Sequence, residues 1–132
     1  MAELFDVEII TPERVFYTGK ASMIEFNTVS GEIGVYPKHI PLTTVLQPGV
    51  VTIHDESGDK KAAIHAGFAE ILGDKVSILA EVAEWPDEVD LERAEKAKDR
   101  AEERIRSKAD GMDMARAEIA LKRALTRISL KG

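Results

Sequence analysis

The sequence predicts a segregated α+β fold: a β-sandwich or flattened barrel over residues 1–86, then an antiparallel two-helix hairpin over residues 87–132. Three observations predict it. Short β-branched runs separated by turn residues fill the first part, and no helical period occurs before residue 86. At Trp85-Pro86 the composition turns over to Ala, Glu, Lys and Arg, residues that lose little on entering a helix. The second part also repeats itself: shifted by 23 residues, Asp90 to Ile105 lies on Asp113 to Ile128 with nine identities in sixteen.

In the first part, Phe5, Val7 and Ile9 alternate with Asp6 and Glu8, the period of a half-buried strand, and Pro12 ends it. Val15-Phe16-Tyr17 leads through Gly19 into Ala21 to Phe26, where Ile24 and Phe26 share one face. Ser30 to Gly49 sets two glycines three apart and three prolines among Ile, Val, Leu and Thr, so the backbone bends hard there between short strands. Val50 to His54 and Ala62 to Ala66, joined by the polar Asp55 to Asp59, read as one hairpin. A second joins Phe68 to Leu72 with Val76 to Val82 through Gly73-Asp74, with Gly available for positive φ. Many short strands with frequent turns make an antiparallel sandwich or barrel.

Pro86 followed by Asp87 and Asp90 is a helix-start signal, because a carboxylate caps free backbone amides at the positive end of the dipole. The first helix is placed at about 88–107; Asp110-Gly111 breaks it, and Asp113 caps a second at about 113–130. Arginines recur at spacings of seven and four in each helix, Arg93, Arg100 and Arg104 in one and Arg116, Arg123 and Arg127 in the other. At about 100° per residue each set shares one face. The alanines Ala94, Ala97, Ala101, Ala117, Ala120 and Ala124 form a seam that permits close approach but buries little apolar area, and only Leu91 and Ile105 are large apolar residues on the first helix's seam. Helices shorter than about 12 to 15 residues are marginal alone, so this pair is expected to be a mobile arm with more than one docked state.

Composition narrows the function. The chain of 132 residues has no cysteine, which excludes disulfides and thiolate metal sites. A net charge of −6 and 5% aromatic residues argue against nucleic-acid binding. The acidic start, Met1-Ala2-Glu3-Leu4-Phe5-Asp6, is unlike a signal peptide, and no apolar run approaches spanning length, so membrane association is expected only through a partner. Residues 1–86 carry 13 acids and 6 bases, residues 87–132 carry 11 acids and 12 bases, and residues 119–132 hold four bases and no acid, which points to a separate partner for the second part. His39, His54 and His65 lack metal-ligand spacing, and His54 and His65 are expected to face solvent or to satisfy backbone groups. Gly31-x-x-Gly34 is far from a phosphate-binding loop and no serine sits in a nucleophile elbow, so no catalytic residue, metal or required cofactor is expected.

The run Gly31-Glu32-Ile33-Gly34-Val35-Tyr36-Pro37-Lys38-His39-Ile40-Pro41-Leu42, with Gly67-Phe68-x-Glu70 and the terminal Ala-Leu-x-Arg-Ala run, resembles the epsilon subunit of the rotary proton-translocating ATP synthase, bacterial type. Most members carry Gly where Lys38 stands. The resemblance implies a non-catalytic rotor subunit whose sandwich binds the gamma subunit and touches the membrane rotor ring, with Glu32 and His39 at the ring-contact positions. It implies a peripheral location on the cytoplasmic face of the bacterial cell membrane. It also implies an arm that inhibits ATP hydrolysis when extended toward the beta and alpha subunits, with Lys122, Arg123 and Arg127 as contact residues. Some bacterial members bind ATP as a regulatory ligand in the folded arm. Val89-Asp90-Leu91-Glu92-Arg93-Ala94 is similar to their motif, and Glu84, Arg100, Arg123 and Arg127 stand on matching positions. Read alone, Glu32 is a turn carboxylate, His39 a loop side chain bonded to backbone, Asp90 a cap and the arginines a solvated face. A free-standing ATP-sensing, protein-binding module is the alternative from another class.

Overall fold

Phe5, Val7 and Ile9 turn inward together and make the first strand of a sheet that curls until its ends meet. The computed structural model describes residues 3–107 and 113–132. The strands are β1 (Phe5–Ile10), β2 (Val15–Thr28), β3 (Gly31–Val35), β4 (Leu42–Val45), β5 (Gly49–Asp55), β6 (Gly58–Ile71) and β7 (Lys75–Glu84). A 3-10 turn (Pro86–Glu88) leads to α1 (Leu91–Ser107) and α2 (Met114–Lys131). The break expected at Asp110-Gly111 lies outside the described residues.

Strand order is β1-β7-β6-β5-β2-β3, with β4 on β6 and β1 also paired to β2. The β1–β2 pairing closes the path into a flattened barrel, a β-sandwich filled by Ile9, Ile24, Ile53, Ile71 and Ile78 with Val7, Val35, Val51 and Val76. β1 runs parallel to β7, which corrects the purely antiparallel sheet expected from sequence. The reason is that β1 enters between β7 and β2, which themselves run in opposite directions along its two edges.

Two expected breaks are not breaks. Gly19 lies within the 14-residue β2, whose register shifts between Ala21 and Met23, where the strand passes from β1 to β5. Residues 62–66 and 68–72 belong largely to one strand, β6, kinked where Ala66 (φ 60°) and Gly67 (φ 113°) take left-handed conformations in succession. At the kink the strand exchanges its neighbour β5 for β4 and its faces turn over. Ala62 and Ile64 point inward before it, Ala69 and Ile71 after it, so Ala63, His65, Phe68 and Glu70 are the outward residues. Gly73, expected to supply positive φ, does not; Gly31, Gly58 and Gly67 do.

The first helix begins later than residue 88. Val89 is extended and buried, so helical backbone starts only after Asp90, whose carboxylate accepts from the Arg93 amide at 3.1 Å. Asp113 caps α2 in the same way through the Arg116 amide. The hairpin packs through Ala94, Ala101, Ala117 and Ala124, all buried. It is α2 that lies against β5, β6 and the 3-10 turn, and α1 packs on α2.

Candidate functional site

The end of β7, the 3-10 turn and the two helices enclose a cleft of about 370 Å³ lined by Glu84, Glu88, Asp90, Arg93, Ala94, Ala97, Arg100 and Arg127. Each wall follows from a local rule. Arg93 and Arg100, seven apart on α1, share a face two turns long, and Ala94 and Ala97 keep the floor between them low. From the antiparallel partner comes Arg127, whose Nε donates to Glu84 Oε1 at 2.7 Å. Glu88 is occupied by Arg14, which donates to both its carboxylate oxygens at 2.8 and 2.9 Å, and by the Trp85 amide. That pairing keeps the Glu88 carboxyl below the usual range. Among the described residues Arg93 and Arg100 pair with no carboxylate, so the cleft presents two unneutralised guanidinium groups and a third shared with Glu84. Planar forks converging from two helices suit a phosphate, whose oxygens accept in pairs. Among the described residues, no three His, Asp or Glu side chains gather to hold a metal ion.

Of the residues singled out from sequence, Glu84, Asp90, Arg93, Ala94, Arg100 and Arg127 line this one cleft. Val89 is buried beside it and does not line it. Arg123 is turned beneath the helix, with its Nε buried and without a partner among the described residues. The basic end of α2 is thus divided, with Arg123 and Arg127 partly covered and Lys122 and Lys131 exposed. Arg127 reaches Glu84, Lys122 donates to Gln47 at 3.2 Å, and Lys131 donates to the Pro86 carbonyl at 2.9 Å. Glu32, near the β2–β3 turn, lines a separate groove with Leu125 and Thr126 of α2. His39 lies exposed in the β3–β4 loop, where its Nδ1 donates to the Ile40 carbonyl at 2.8 Å.

Of the other two histidines, His54 keeps a partly exposed outward position as expected, and His65 does not. His54 bonds side chains, with Nε2 2.6 Å from Glu25 and Nδ1 2.7 Å from Asp59, and the Glu25 and Asp59 carboxylates raise its pKa above the ordinary value. His65 is 1% exposed, and its Nε2 lies 3.1 Å from Glu84. Burial first, and the Arg127 charge next, lower its pKa. Sequence reasoning misses His65 because the residue occupies an outward position of its strand and is covered only by a distant element. No local signal marks it, because the cover over Ala63 and His65 is α2, far along the chain.

Comparison with known proteins shows what this arrangement belongs to. The ATP synthase delta/epsilon chain β-sandwich domain matches residues 4–86, and the delta/epsilon chain long alpha-helix domain matches residues 87–132. The chain belongs to the ATP synthase epsilon chain family. Epsilon chains of Caldanaerobacter subterraneus subsp. tengcongensis and Moorella thermoacetica are similar to it. The first is 44% identical over 98% of this chain and 95% of its own length, the second 45% identical over 100% and 98%. The epsilon chain of Brevibacillus brevis is 50% identical over 81% of this chain and 82% of its own. Among solved structures, a chain of the Euglena gracilis mitochondrial ATP synthase, OSCP/F1/c-ring in rotational state 1, superposes with a TM-score of 0.77 at 26% identity, covering 93% of this chain and 78% of that one. A chain of the Tetrahymena thermophila central stalk and c-ring shares the fold, with a TM-score of 0.56 at 17% identity. No helix among the described residues is long and apolar enough to cross a membrane.

Proposed function

We propose that this epsilon-family chain is a non-catalytic rotor subunit of a proton-translocating ATP synthase, peripheral on the cytoplasmic face of the membrane. In this reading its sandwich joins the gamma shaft to the membrane rotor ring and its arm regulates ATP hydrolysis. The family membership supports the assembly, and two surfaces support the placement. Val45, Phe68, Leu79, Ile10 and Val15 pair in turn across β4, β6, β7, β1 and β2. Four of these five side chains are exposed, Val15 at 64%, so an apolar row crosses the sheet uncovered by the described residues. Such a row suits a packed protein partner, and we assign it to the shaft. The β3–β4 loop, with His39 and the 80% exposed Ile40, is assigned to the ring, together with Glu32.

The observation that carries the regulatory reading is how α2 is held. Among the described residues its polar attachments are Lys122 to Gln47, Arg127 to Glu84 and Lys131 to the Pro86 carbonyl, single bonds at a partly wet boundary, and the sheet positions it covers carry the small Ala63 and the polar His65. Exposed or half-exposed bonds of this kind contribute about 0 to 1 kcal/mol each, far less than an apolar interface would. The arm is therefore detachable, and release would free Lys122, Arg123 and Arg127 for the beta and alpha subunits. ATP in the arginine cleft would bridge both helices and hold the arm down by mass action. The test is removal of residues 88–132 from the assembled complex. Proton coupling is expected to persist while hydrolysis rises; unchanged hydrolysis would overturn the regulatory arm. Millimolar ATP is expected to shift the Arg93, Arg100 and Arg127 side-chain resonances, and their immobility would remove nucleotide from the account.

A further inference from the structure

Among the described residues the buried polar side chains are Thr28, His65 and Thr126, and His65 alone of these titrates near neutral pH. It stands on the outward face of β6 beside Ala63, and both are covered because α2 lies over that face. The charged groups facing it are Glu84 from β7, on its own sheet, and Arg123 and Arg127 from α2. Neutral His65 is satisfied by one bond: Nε2–H donates to Glu84, and Nδ1 is left as a bare lone pair without a partner. Protonation would place a second N–H at Nδ1, where the described residues offer no acceptor, and a positive charge against two guanidinium groups. One of those, Arg123, already has a buried Nε without a partner.

We propose that His65 is a proton-operated latch beneath the arm: neutral, it lets α2 lie on the sheet, and protonated, it drives α2 off. The inference rests on the detachable arm proposed above and adds the signal that detaches it. The sign follows from linkage. His65 has a depressed pKa while α2 covers it and an ordinary one, about 6.5, once uncovered. Docking is therefore undiminished above that pH and weakens as pH falls through it, by at most about tenfold per pH unit, until the covered histidine also protonates. Acidification would release the arm into its inhibitory position, so hydrolysis would be restrained when protons accumulate on the arm's side of the membrane.

The test uses the full chain without nucleotide. Because the chain has no cysteine, Glu56→Cys in the β5–β6 turn and Glu118→Cys on α2 can carry a donor and acceptor dye pair. Energy transfer is expected to fall between pH 8 and pH 5.5, to stay level in His65→Gln, and to be low at every pH in His65→Lys, which carries the charge permanently. His54→Gln is expected to leave the profile unchanged. Sandwich amide resonances, read in parallel, show that each variant is folded. An acid transition that survives in His65→Gln overturns the latch alone. A signal fixed at every pH in every variant, His65→Lys included, overturns the latch and the detachable arm together.

Discussion

Lys38 holds a left-handed backbone, φ 63°, in the loop whose fold it anchors by donating its amide to the Gly73 carbonyl at 2.9 Å. Glycine would hold that conformation without the Cβ penalty of about 1–2 kcal/mol, offset in part by its greater freedom when unfolded. Lys38→Gly is expected to raise stability by about 0.5–1 kcal/mol, read as a higher urea midpoint at unchanged slope. Gly67 is the converse. Its φ is 113° and a Cβ there would strike the Leu79 carbonyl, so Gly67→Ala is expected to cost about 3 kcal/mol or more. Thermal unfolding of the single variant measures it. At Tyr17, a hydroxyl donates to Asp55 at 2.6 Å and, with Ser57, holds that carboxyl well below the usual range. A depressed carboxylate contributes stability above its unfolded pKa, about 3.9, and loses it as pH falls through the folded value. Tyr17→Phe is therefore expected to cost about 1.5–3 kcal/mol at pH 7 and progressively less in acid, as followed by denaturant titrations across pH. His54 has the opposite sign. Its raised pKa contributes stability that is complete below about pH 6.5 and fades as pH rises through the folded value.

Among the elements, β6 and α2 do most to join the arm to the sandwich. β6 turns over at Ala66-Gly67, so one strand presents His65 to the arm and Phe68 to the apolar row. α2 depends on its cap, since its first turn contains no acid and Asp113 is what satisfies the Arg116 amide. Asp113→Ala is expected to cost about 1 kcal/mol of helix stability, visible as a loss of helical circular dichroism that precedes loss of the sandwich on heating. The seam sets a further limit. Ala117 and Ala124 are buried against Ala94 and Ala101 in a hairpin spaced for methyl groups, so Ala101→Leu is expected to splay the helices and open the cleft. A longer dye-to-dye distance between the helices in that variant, with the sandwich melting unchanged, would register the effect.

At the scale of the molecule, a closed barrel and a thin arm share one chain with very unequal cohesion. The barrel buries nine Ile and Val side chains below 2% exposure, and the arm's buried positions are chiefly alanines. Removing residues 88–132 is accordingly expected to leave the sandwich cooperative in unfolding, with a modest loss from Val89 and the Arg14–Glu88 pair. Failure of the truncated chain to fold would mean that the arm supplies core energy to the barrel, contrary to its polar attachments.

By itself, the sequence determined the sandwich, the hairpin, both caps and the grouping of Arg93 with Arg100, because these follow from period, breaker residues and spacing along the chain. It also held the motif that links Asp90, Arg93 and Ala94. Tertiary structure alone decided that β1 would pair in parallel with β7, that Val89 would be buried and delay α1, and that Arg123 would lie beneath the helix while Arg127 reached Glu84. It alone made His65 a buried group. Burial of an outward side chain is fixed by what folds back over it, and the segment that covers His65 lies about sixty residues further along the chain. Local pattern carries no term for a contact at that separation, so the same histidine reads as exposed in the sequence and stands covered in the fold.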